Sequence, residues 1–337
     1  MNVKAKRRRS VSEAPRQESP AEAGGQEAAR AAEGFPAATE GRLILKDHGV
    51  RCIRLDIPGE YPACNPSIAK NEKGELIAVV RTVNYELGVE GGISFGTSPR
   101  PDTVNWLVHL DDDLNQVKTL RINEDAARQL RVPARDGLED ARLFWWRNAW
   151  WYLASACHHG PRCRNTMALC RISHIDSPSV DELEFLVSPH SFEREKNWMP
   201  FVDGERLGFL YYGSPAESYE IWPQNRRLNL GGDDGRLKGW SGSSQLIRFG
   251  EWWLGVVHQR QKQRGKHVYA HRLVTFNDLF IPVQVGREFF FRDETVEFCA
   301  GITSHRGNFL LSFGLMDKEA WICELHPAQV ASLLASQ

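Results

Sequence analysis

Charged and polar residues open five similar segments of the chain, and their types define the chemistry that one shared cavity would allow. The openings supply carboxylates, amides and cations from distant positions: Asn65, Glu139-Asp140-Ala141-Arg142, Lys196-Asn197, Gly242-Ser243-Ser244 and Phe298 to Gly301. A carboxylic acid can donate a proton to a departing sugar oxygen, and a nearby cation can hold an anion. The pattern therefore predicts general acid chemistry on a neutral sugar beside an anion site.

The five segments also share one strand pattern, which predicts the fold class. Each continues from its opening into an apolar strand, a turn with Gly or Asn, and a second apolar or aromatic strand. A two-strand unit repeated at intervals of roughly 45–75 residues is typical of propeller blades, whose innermost strands converge on an axis. We therefore predict an all-β, five-bladed β-propeller over residues 41–337, with the openings facing one central cavity.

Residues 1–40 differ in composition from the rest of the chain. After Met1 they contain almost no large apolar side chains except Val3, Val11 and Phe35, and they are rich in Ala, Glu, Gly, Pro, Arg and Ser. Such a segment buries too little surface to offset its chain entropy, so a disordered tail is predicted. Its basic run at residues 4–10 is interpreted as solvated.

Helical patterns are few, and they occur at residues 125–131 and 327–336. The chain contains 11 Trp, a high count for a residue that stacks well on sugars. Pairs such as Trp145-Trp146 nevertheless alternate along predicted strands. Packing between blades is therefore the predicted role for most of them.

Composition also argues against several classes of protein. Beyond residue 40 the acidic and basic residues nearly balance, with a net charge of −2, which argues against electrostatic nucleic-acid binding. No apolar run is long enough for a membrane span, and no secretory signal follows the basic tail. The 7 Cys are scattered and mostly beside apolar residues, which favours reduced thiols and a cytoplasmic setting. The cluster from Cys157 to Cys170 matches no common zinc spacing, so no metal is expected.

The openings resemble those of the inverting β-mannoside phosphorylases and related β-mannosyltransferases, a family of five-bladed propellers. The matching motifs occur in the family's order over roughly residues 60–325: Asn65-Pro66, Arg81, Glu139 to Arg142, Lys196-Asn197, His258, Tyr269 to Leu273, Phe298 to Gly301, and Phe313-Gly314 to Asp317. Each motif alone is weak, whereas five blades in the right order are fairly specific.

The resemblance implies a role for each matching residue. Asp140 would be the general acid, and it would need a shielded site without a cation too close to it. Glycan-binding residues would be Asn65, Arg81, Glu139, Asn197 and Asp317. Phosphate would be bound by Arg142, Arg164, Lys196, His258 and Tyr269. Inorganic phosphate or a sugar 1-phosphate would be the co-substrate, with no other cofactor.

Several positions depart from the family pattern and keep alternatives open. Ala141 replaces a Pro, Ser243-Ser244 replaces a double Pro, and Phe313 replaces a Tyr. The segment Gly91–Asp112 is particular to this chain and is expected to shape the acceptor side of the cavity. A divergent enzyme that works in the synthetic direction is one interpretation. An inverting hydrolase with Glu297 or Asp317 as base, and a non-catalytic carbohydrate-binding propeller, are the others.

Overall fold

The chain is mostly β-sheet, as the computed structural model of the protein shows. The structure describes residues 34–35, 42–88, 90, 92–95, 101–129, 136–158, 164–187, 195–211, 217–222, 226–230, 235–263, 265–293 and 295–335. The first elements among them are β1 (Leu43–Ile44), a 3-10 helix (Leu45–His48) and β2 (Arg51–Leu55).

Sheets 1 and 2 are antiparallel and four-stranded. Sheet 1 has the order β3-β4-β7-β8, and a separate hairpin, β5–β6, leaves it between β4 and β7. The strands of sheet 1 and of the hairpin are β3 (Ala63–Lys70), β4 (Leu76–Val83), β5 (Tyr85–Leu87), β6 (Ile93–Phe95), β7 (Thr103–Leu110) and β8 (Gln116–Arg121). Sheet 2, in the order β9-β10-β11-β12, contains β9 (Leu138–Trp146), β10 (Ala149–His158), β11 (Arg164–Ser173) and β12 (Ser179–Phe185).

Sheets 3 and 4 follow in the chain. Sheet 3, in the order β13-β14-β15-β16, contains β13 (Trp198–Asp203), β14 (Arg206–Tyr211), β15 (Glu217–Trp222) and β16 (Arg226–Leu230). Sheet 4 is built around the long pair β19–β20 and includes β1 at its far edge. Its other strands are β17 (Ser241–Gly242), β18 (Ile247–Phe249), β19 (Trp252–Gln263), β20 (Lys266–Phe276), β21 (Pro282–Val285) and β22 (Phe289–Phe290).

Sheet 5 combines the two ends of the described chain. Its order is β2-β25-β24-β23, so a strand from the N-terminal side completes a sheet made by the last three strands. These strands are β23 (Glu297–His305), β24 (Asn308–Leu315) and β25 (Glu319–Leu325). The two described α-helices are Asp125–Gln129 and Pro327–Leu334, which confirms both predicted helices.

Each of the five repeated segments forms an antiparallel strand pair, as the sequence pattern predicts. Five apolar clusters each lie between one pair of sheets. Ile77 packs with Leu143 between sheets 1 and 2, and similar clusters join sheets 2 and 3, 3 and 4, 4 and 5, and 5 and 1. The strands that open the repeated segments also lie against one another, as with β3 beside both β9 and β23.

The predicted disordered tail is described only at Gly34 and Phe35, and these two residues are ordered. Phe35 is buried in the core of sheets 4 and 5, where its backbone N–H donates to Ser332 Oγ at 3.2 Å. The aromatic ring supplies the apolar surface that drives this burial, so the prediction of disorder does not hold for these two residues. The remainder of the predicted tail lies outside the described residues.

A disulfide joins Cys52 on β2 to Cys323 on β25, so the prediction of reduced thiols is wrong for this pair. The two residues are directly opposite each other in sheet 5, although 271 positions separate them in sequence. Sequence reasoning missed the pair because only the folded sheet brings its members together. Cys64, Cys170 and Cys299 are free and buried. None of the described helices has the length and apolar character needed to cross a membrane.

Breaking this disulfide is expected to lower the free energy of unfolding by about 2–5 kcal/mol, because the bond restricts a very long loop of the unfolded chain. Urea unfolding with and without dithiothreitol measures the effect. The Cys52→Ala variant is the control, since reductant should not change its stability. Equal stability of the oxidised and reduced wild type would contradict the prediction.

Candidate active site

One cavity of about 490 Å³ is lined by residues of sheets 1, 2, 4 and 5 and by the two residues that precede sheet 3, Lys196 and Asn197. Nine residues singled out from the sequence lie on its wall: Asn65, Arg81, Glu139, Asp140, Lys196, Asn197, His258, Tyr269 and Asp317. The structure therefore brings together residues that are up to about 250 positions apart in sequence. Arg142 is absent from the wall, and the side chain of Arg164 lies outside what the structure describes.

Local backbone geometry aims the polar side chains into this cavity. Asn65, Asp140 and Asn197 have φ of 45°, 53° and 62°, and Asp317 has φ of 52°. The register of β3 shifts between Cys64 and Ser67, and that of β9 shifts opposite β10 at Asp140. Asn and Asp tolerate positive φ better than other residues with side chains, and bulges often re-aim a side chain beside a functional site.

Glycines in neighbouring sheets leave room for these openings. A Cβ atom on Gly314 would lie 2.5 Å from the backbone N of Asn65, and one on Gly242 would clash with the backbone O of Asn197. Sheets 5 and 1, and sheets 4 and 3, can therefore approach closely at the cavity only because these positions have no side chain. The Gly of the Phe313-Gly314 motif thus has a packing role.

A closed ring of hydrogen bonds forms part of the cavity wall. Arg81 donates to Asp140 Oδ1 at 2.8 Å, and Asn65 Nδ2 donates to the same oxygen at 2.8 Å and to Asp317 Oδ1 at 3.4 Å. The Tyr85 hydroxyl donates to Asp317 Oδ2 at 3.2 Å and accepts from Arg81 at 2.9 Å. Glu139 adds an ion pair to Arg81 at 3.4 Å. The two carboxylates, Asp140 and Asp317, are thus held in fixed relative positions.

The ring gives its two carboxylates opposite electrostatic environments. Burial alone would raise the pKa of Asp140, but the charges of Arg81, Arg142 and Lys196 outweigh it and lower the pKa well below its ordinary value. Burial raises the pKa of Asp317, and the charge of Arg81 only partly opposes the increase. The expectation that Asp140 would lie away from close cations is therefore wrong, and Asp140 is a carboxylate in the ligand-free protein.

Arg142 supports the openings from behind the cavity. Its side chain is buried, with Nε donating to the Ser243 carbonyl at 2.9 Å and an Nη donating to Asn197 Oδ1 at 3.0 Å. The other Nη donates to the backbone carbonyl of Asp140. A guanidinium with these partners is better placed to position Asp140 and Asn197 than to contact phosphate, which was its predicted role.

Lys196 and His258 differ in charge. Lys196 is exposed to the cavity and forms no ion pair within 4.0 Å among the described residues, so its ammonium is available to an anion. Burial and the charge of Arg142 lower the pKa of His258 to about 3, so its imidazole is neutral at neutral pH. His258 stacks on Tyr269 with ring centroids 5.5 Å apart. These two rings offer hydrogen bonds and an aromatic surface rather than charge.

Glu297 does not contribute to the cavity. Its buried carboxylate accepts backbone N–H bonds from Phe291, Arg292 and Asp293 at 2.7–2.9 Å. Burial raises its pKa to about 7 despite these bonds. The residue therefore holds the turn before β23, and the hypothesis that it activates water has no geometric support.

Sequence reasoning missed several residues of the wall, including Tyr85, Asn165 and Arg260. Tyr85 lies four residues after Arg81, beyond the end of β4, where no repeat pattern marks it. Arg260 was detectable, because it follows His258 by two residues and so points from the same face of β19.

Similar solved structures exist, although no protein-family model and no curated protein matches the sequence. A β-1,2-mannobiose phosphorylase from Listeria innocua has 14% identity and a TM-score of 0.56, over 81% of this chain and 92% of its own. A mannose phosphorylase from Leishmania mexicana, in complex with a phosphate ion, has 10% identity and a TM-score of 0.54, over 93% and 95%. A GDP-mannose-dependent mannosyltransferase from the same organism has 10% identity and a TM-score of 0.54, over 82% and 89%. These identities establish similarity of fold alone.

Proposed function

We propose that the protein is a five-bladed β-propeller enzyme that transfers a mannosyl-type sugar between a sugar 1-phosphate and a glycan acceptor. The reaction inverts the anomeric centre, and Asp140 transfers the proton. In phosphorolysis Asp140 is the general acid for the departing glycan oxygen. In synthesis it accepts the proton of the attacking acceptor hydroxyl, as microscopic reversibility requires.

The packing of the sheets supports the propeller architecture. Five clusters join sheets 1 to 5 in a cycle that returns from sheet 5 to sheet 1. In sheet 5, β2 pairs with β25 and so joins the N-terminal side to the C-terminal side. Such a junction is what a closed ring of blades needs.

The observation that carries the functional proposal is the position of Asp140 in a cavity that also contains unpaired positive charge. Asp140 is fixed by Asn65 and Arg81, and Lys196 enters the same cavity without an ion-pair partner among the described residues. One carboxylate for proton transfer and a separate cation for an anionic substrate are the groups that phosphate-dependent sugar transfer requires. The fold neighbours named as a β-1,2-mannobiose phosphorylase and a mannose phosphorylase support the same chemistry, and the neighbour named as a GDP-mannose-dependent mannosyltransferase supports mannosyl transfer more broadly.

The charge state of Asp140 in the ligand-free protein matches the proton transfer of synthesis. Arg81 keeps Asp140 ionised in the ligand-free protein. An ionised Asp140 is ready to accept the acceptor proton, whereas phosphorolysis requires that it first gain a proton. A phosphate group near Lys196 and Arg81, from inorganic phosphate or from a sugar 1-phosphate, would offset their charge and raise the pKa of Asp140, so that the protonated form needed for phosphorolysis becomes accessible.

The geometry gives less support to an inverting hydrolase. Asp140 Oδ1 and Asp317 Oδ1 both accept from Asn65 Nδ2, at 2.8 and 3.4 Å, so these oxygens are at most roughly 6 Å apart. Inverting hydrolases separate their carboxyl groups by about 6.5–9.5 Å so that a water can lie between them. Here the Asn65 amide lies between the two carboxyl groups and bonds both. The two oxygens of Asp317 also accept hydrogen bonds from Asn65 and Tyr85, which leaves fewer of their lone pairs for that water.

Replacement of Lys196 by Ala tests this proposal through its dependence on phosphate. We expect the KM for mannose 1-phosphate in synthesis, and for phosphate in phosphorolysis, to rise about 10–150-fold with kcat little changed. This corresponds to the loss of a charge-assisted contact of about 1.5–3 kcal/mol. Initial rates at varied concentrations of each ligand measure the effect.

The Lys238→Ala variant is the matched control, because Lys238 is exposed and lies outside the cavity wall. Its KM values should equal those of the wild type. Wild-type cleavage of mannobiose that does not respond to phosphate would instead establish a hydrolase. Sugar binding without turnover under any of these conditions would favour a carbohydrate-binding propeller.

A further inference from the structure

The β5–β6 hairpin presents apolar side chains at the cavity. Leu87, Ile93, Phe95 and Pro101 line the same cavity as Asp140. Ile93 is 52% exposed and Phe95 is 40% exposed, and both are among the few large exposed hydrophobic residues that the structure describes. Exposed apolar side chains grouped beside a cavity commonly mark a binding surface.

The hairpin is fixed directly to the hydrogen-bonded ring. Its first residue, Tyr85, bonds both Arg81 and Asp317 through its hydroxyl. The Phe95 ring contacts the Tyr85 ring edge-on, with centroids 6.2 Å apart. On the solvent side, Lys318 pairs with Glu86 at 3.2 Å. The apolar surface therefore begins at Leu87, two residues after Tyr85, which is itself part of the ring that holds Asp140.

The side chains of this surface define the chemistry of its ligand. Leu87, Ile93, Phe95 and Pro101 carry no side-chain hydrogen-bond donor or acceptor, so they cannot replace the water lost by sugar hydroxyls. Phe95 alone would suit the C–H face of a sugar, but aliphatic neighbours would not extend that contact. Two cations of the wall lie away from the hairpin: Lys196 precedes the first strand of sheet 3, and Arg260 lies in sheet 4. The third, Arg81, is in sheet 1 next to the hairpin, but it is paired with Asp140 and Glu139. The cations Lys196 and Arg260 and the apolar side chains of the hairpin are thus on different sides of the cavity.

We propose that the β5–β6 hairpin binds the apolar aglycone of the acceptor, so that the acceptor is an alkyl or lipid-linked glycoside. The inference rests on the proposed function, in which the acceptor enters this cavity. A second copy of the chain fits the surface less well. Four side chains fall far short of the roughly 800 Å² per partner that a standard interface buries, and they continue into the cavity rather than across a flat face.

The test compares octyl mannoside with methyl mannoside as ligands and acceptors. The octyl compound is kept below its critical micelle concentration. Isothermal titration calorimetry without a donor measures their binding, and transfer from mannose 1-phosphate measures their KM as acceptors. In the wild type we expect the octyl compound to have at least about tenfold lower Kd and KM, because part of its additional chain is buried. In a variant carrying both Ile93→Ser and Phe95→Ser, most of that preference should disappear while methyl mannoside binds as before.

The Val117→Ser variant is the control, since Val117 is 68% exposed on β8 and lies outside the cavity wall. It should retain the full octyl preference. Equal binding of octyl and methyl mannoside by the wild type would overturn the inference, even if transfer occurs. An octyl preference that depends on Ile93 and Phe95 would support it even without turnover, in which case only the proposed function fails.

Loss of a wild-type dimer in the double variant, measured by light scattering, would instead assign the surface to self-association and overturn the inference.

Discussion

The Asp140→Asn variant is expected to lose roughly 10²–10⁴-fold in turnover while its affinity for sugar changes little. Asn preserves the shape of Asp140 and can still accept the hydrogen bonds of Arg81 and Asn65 at 2.8 Å. It cannot exchange a carboxyl proton with the glycan oxygen, and general acid–base catalysis is worth about this factor. Turnover and KM in both directions, with sugar binding measured by calorimetry, separate catalysis from binding.

Substrates with different leaving groups show whether Asp140→Asn loses activity because proton transfer is lost or because a negative charge is lost. A p-nitrophenyl mannoside has a leaving group that needs little protonation, so phosphorolysis of this substrate should be much less impaired in Asp140→Asn than phosphorolysis of mannobiose. The Glu139→Gln variant is the matched comparison within the cavity, because it removes a carboxylate that also pairs with Arg81. It should impair both substrates equally. An Asp140→Asn enzyme with full activity would remove Asp140 from the mechanism.

The two directions should also differ in their response to acid. The pKa of Asp140 is depressed, so its ionised form persists below the ordinary value of about 3.9. Synthesis, which uses the ionised form, should therefore show no loss attributable to Asp140 as the pH falls from 7 to 5. Phosphorolysis, which uses the protonated form, should become faster relative to synthesis over this interval. The ratio of the two initial rates at each pH measures this.

The sequence predicts the contributors to the cavity better than their roles in it. Asn65, Asp140 and Lys196 open strand pairs, and a repeated unit carries equivalent positions to one place, so their convergence follows from the pattern. The partners of each side chain depend on interatomic distances that the pattern does not contain. Arg142 illustrates this limit. Its motif suggests an anion contact, but its guanidinium donates hydrogen bonds to two backbone carbonyls and to the side chain of Asn197.

Contacts between distant parts of the chain also could not be predicted from the sequence. Two such contacts join the N-terminal side of the described chain to its C-terminal side. One is the Cys52–Cys323 disulfide, and the other is the packing of Phe35 against the helix Pro327–Leu334. Neither lies within a repeat, so strand periodicity carries no information about them. The charge state of Asp140 was also mispredicted, since Arg81 lies 59 positions away in sequence yet contacts its carboxylate.

Replacement of Arg81 by Met should have the largest effect on stability of any cavity substitution, at about 3 kcal/mol near neutral pH. Met approximates the length of the side chain, but it leaves Asp140 and Glu139 without the cation at 2.8 and 3.4 Å. An uncompensated carboxylate that is shielded from water is costly, which is why breaking one partner of a buried pair usually destabilises by several kcal/mol. The Arg306→Met variant is the control. Its exposed pairs with Asp112 and Asp113 should contribute less than about 1 kcal/mol.

The pH dependence of this loss identifies its origin. Because the folded-state pKa of Asp140 lies below the unfolded value, its stabilisation is fully present above the unfolded pKa of about 3.9 and is lost as the pH falls through the folded pKa. In Arg81→Met the pKa of Asp140 should rise, so protonation relieves the unpaired charge at a higher pH than in the wild type. Urea unfolding should therefore show a gap between wild type and variant that is largest near pH 7 and narrows towards pH 4. A gap that stays constant between pH 7 and pH 4 would show that Arg81 stabilises the fold through packing rather than through the charge of Asp140.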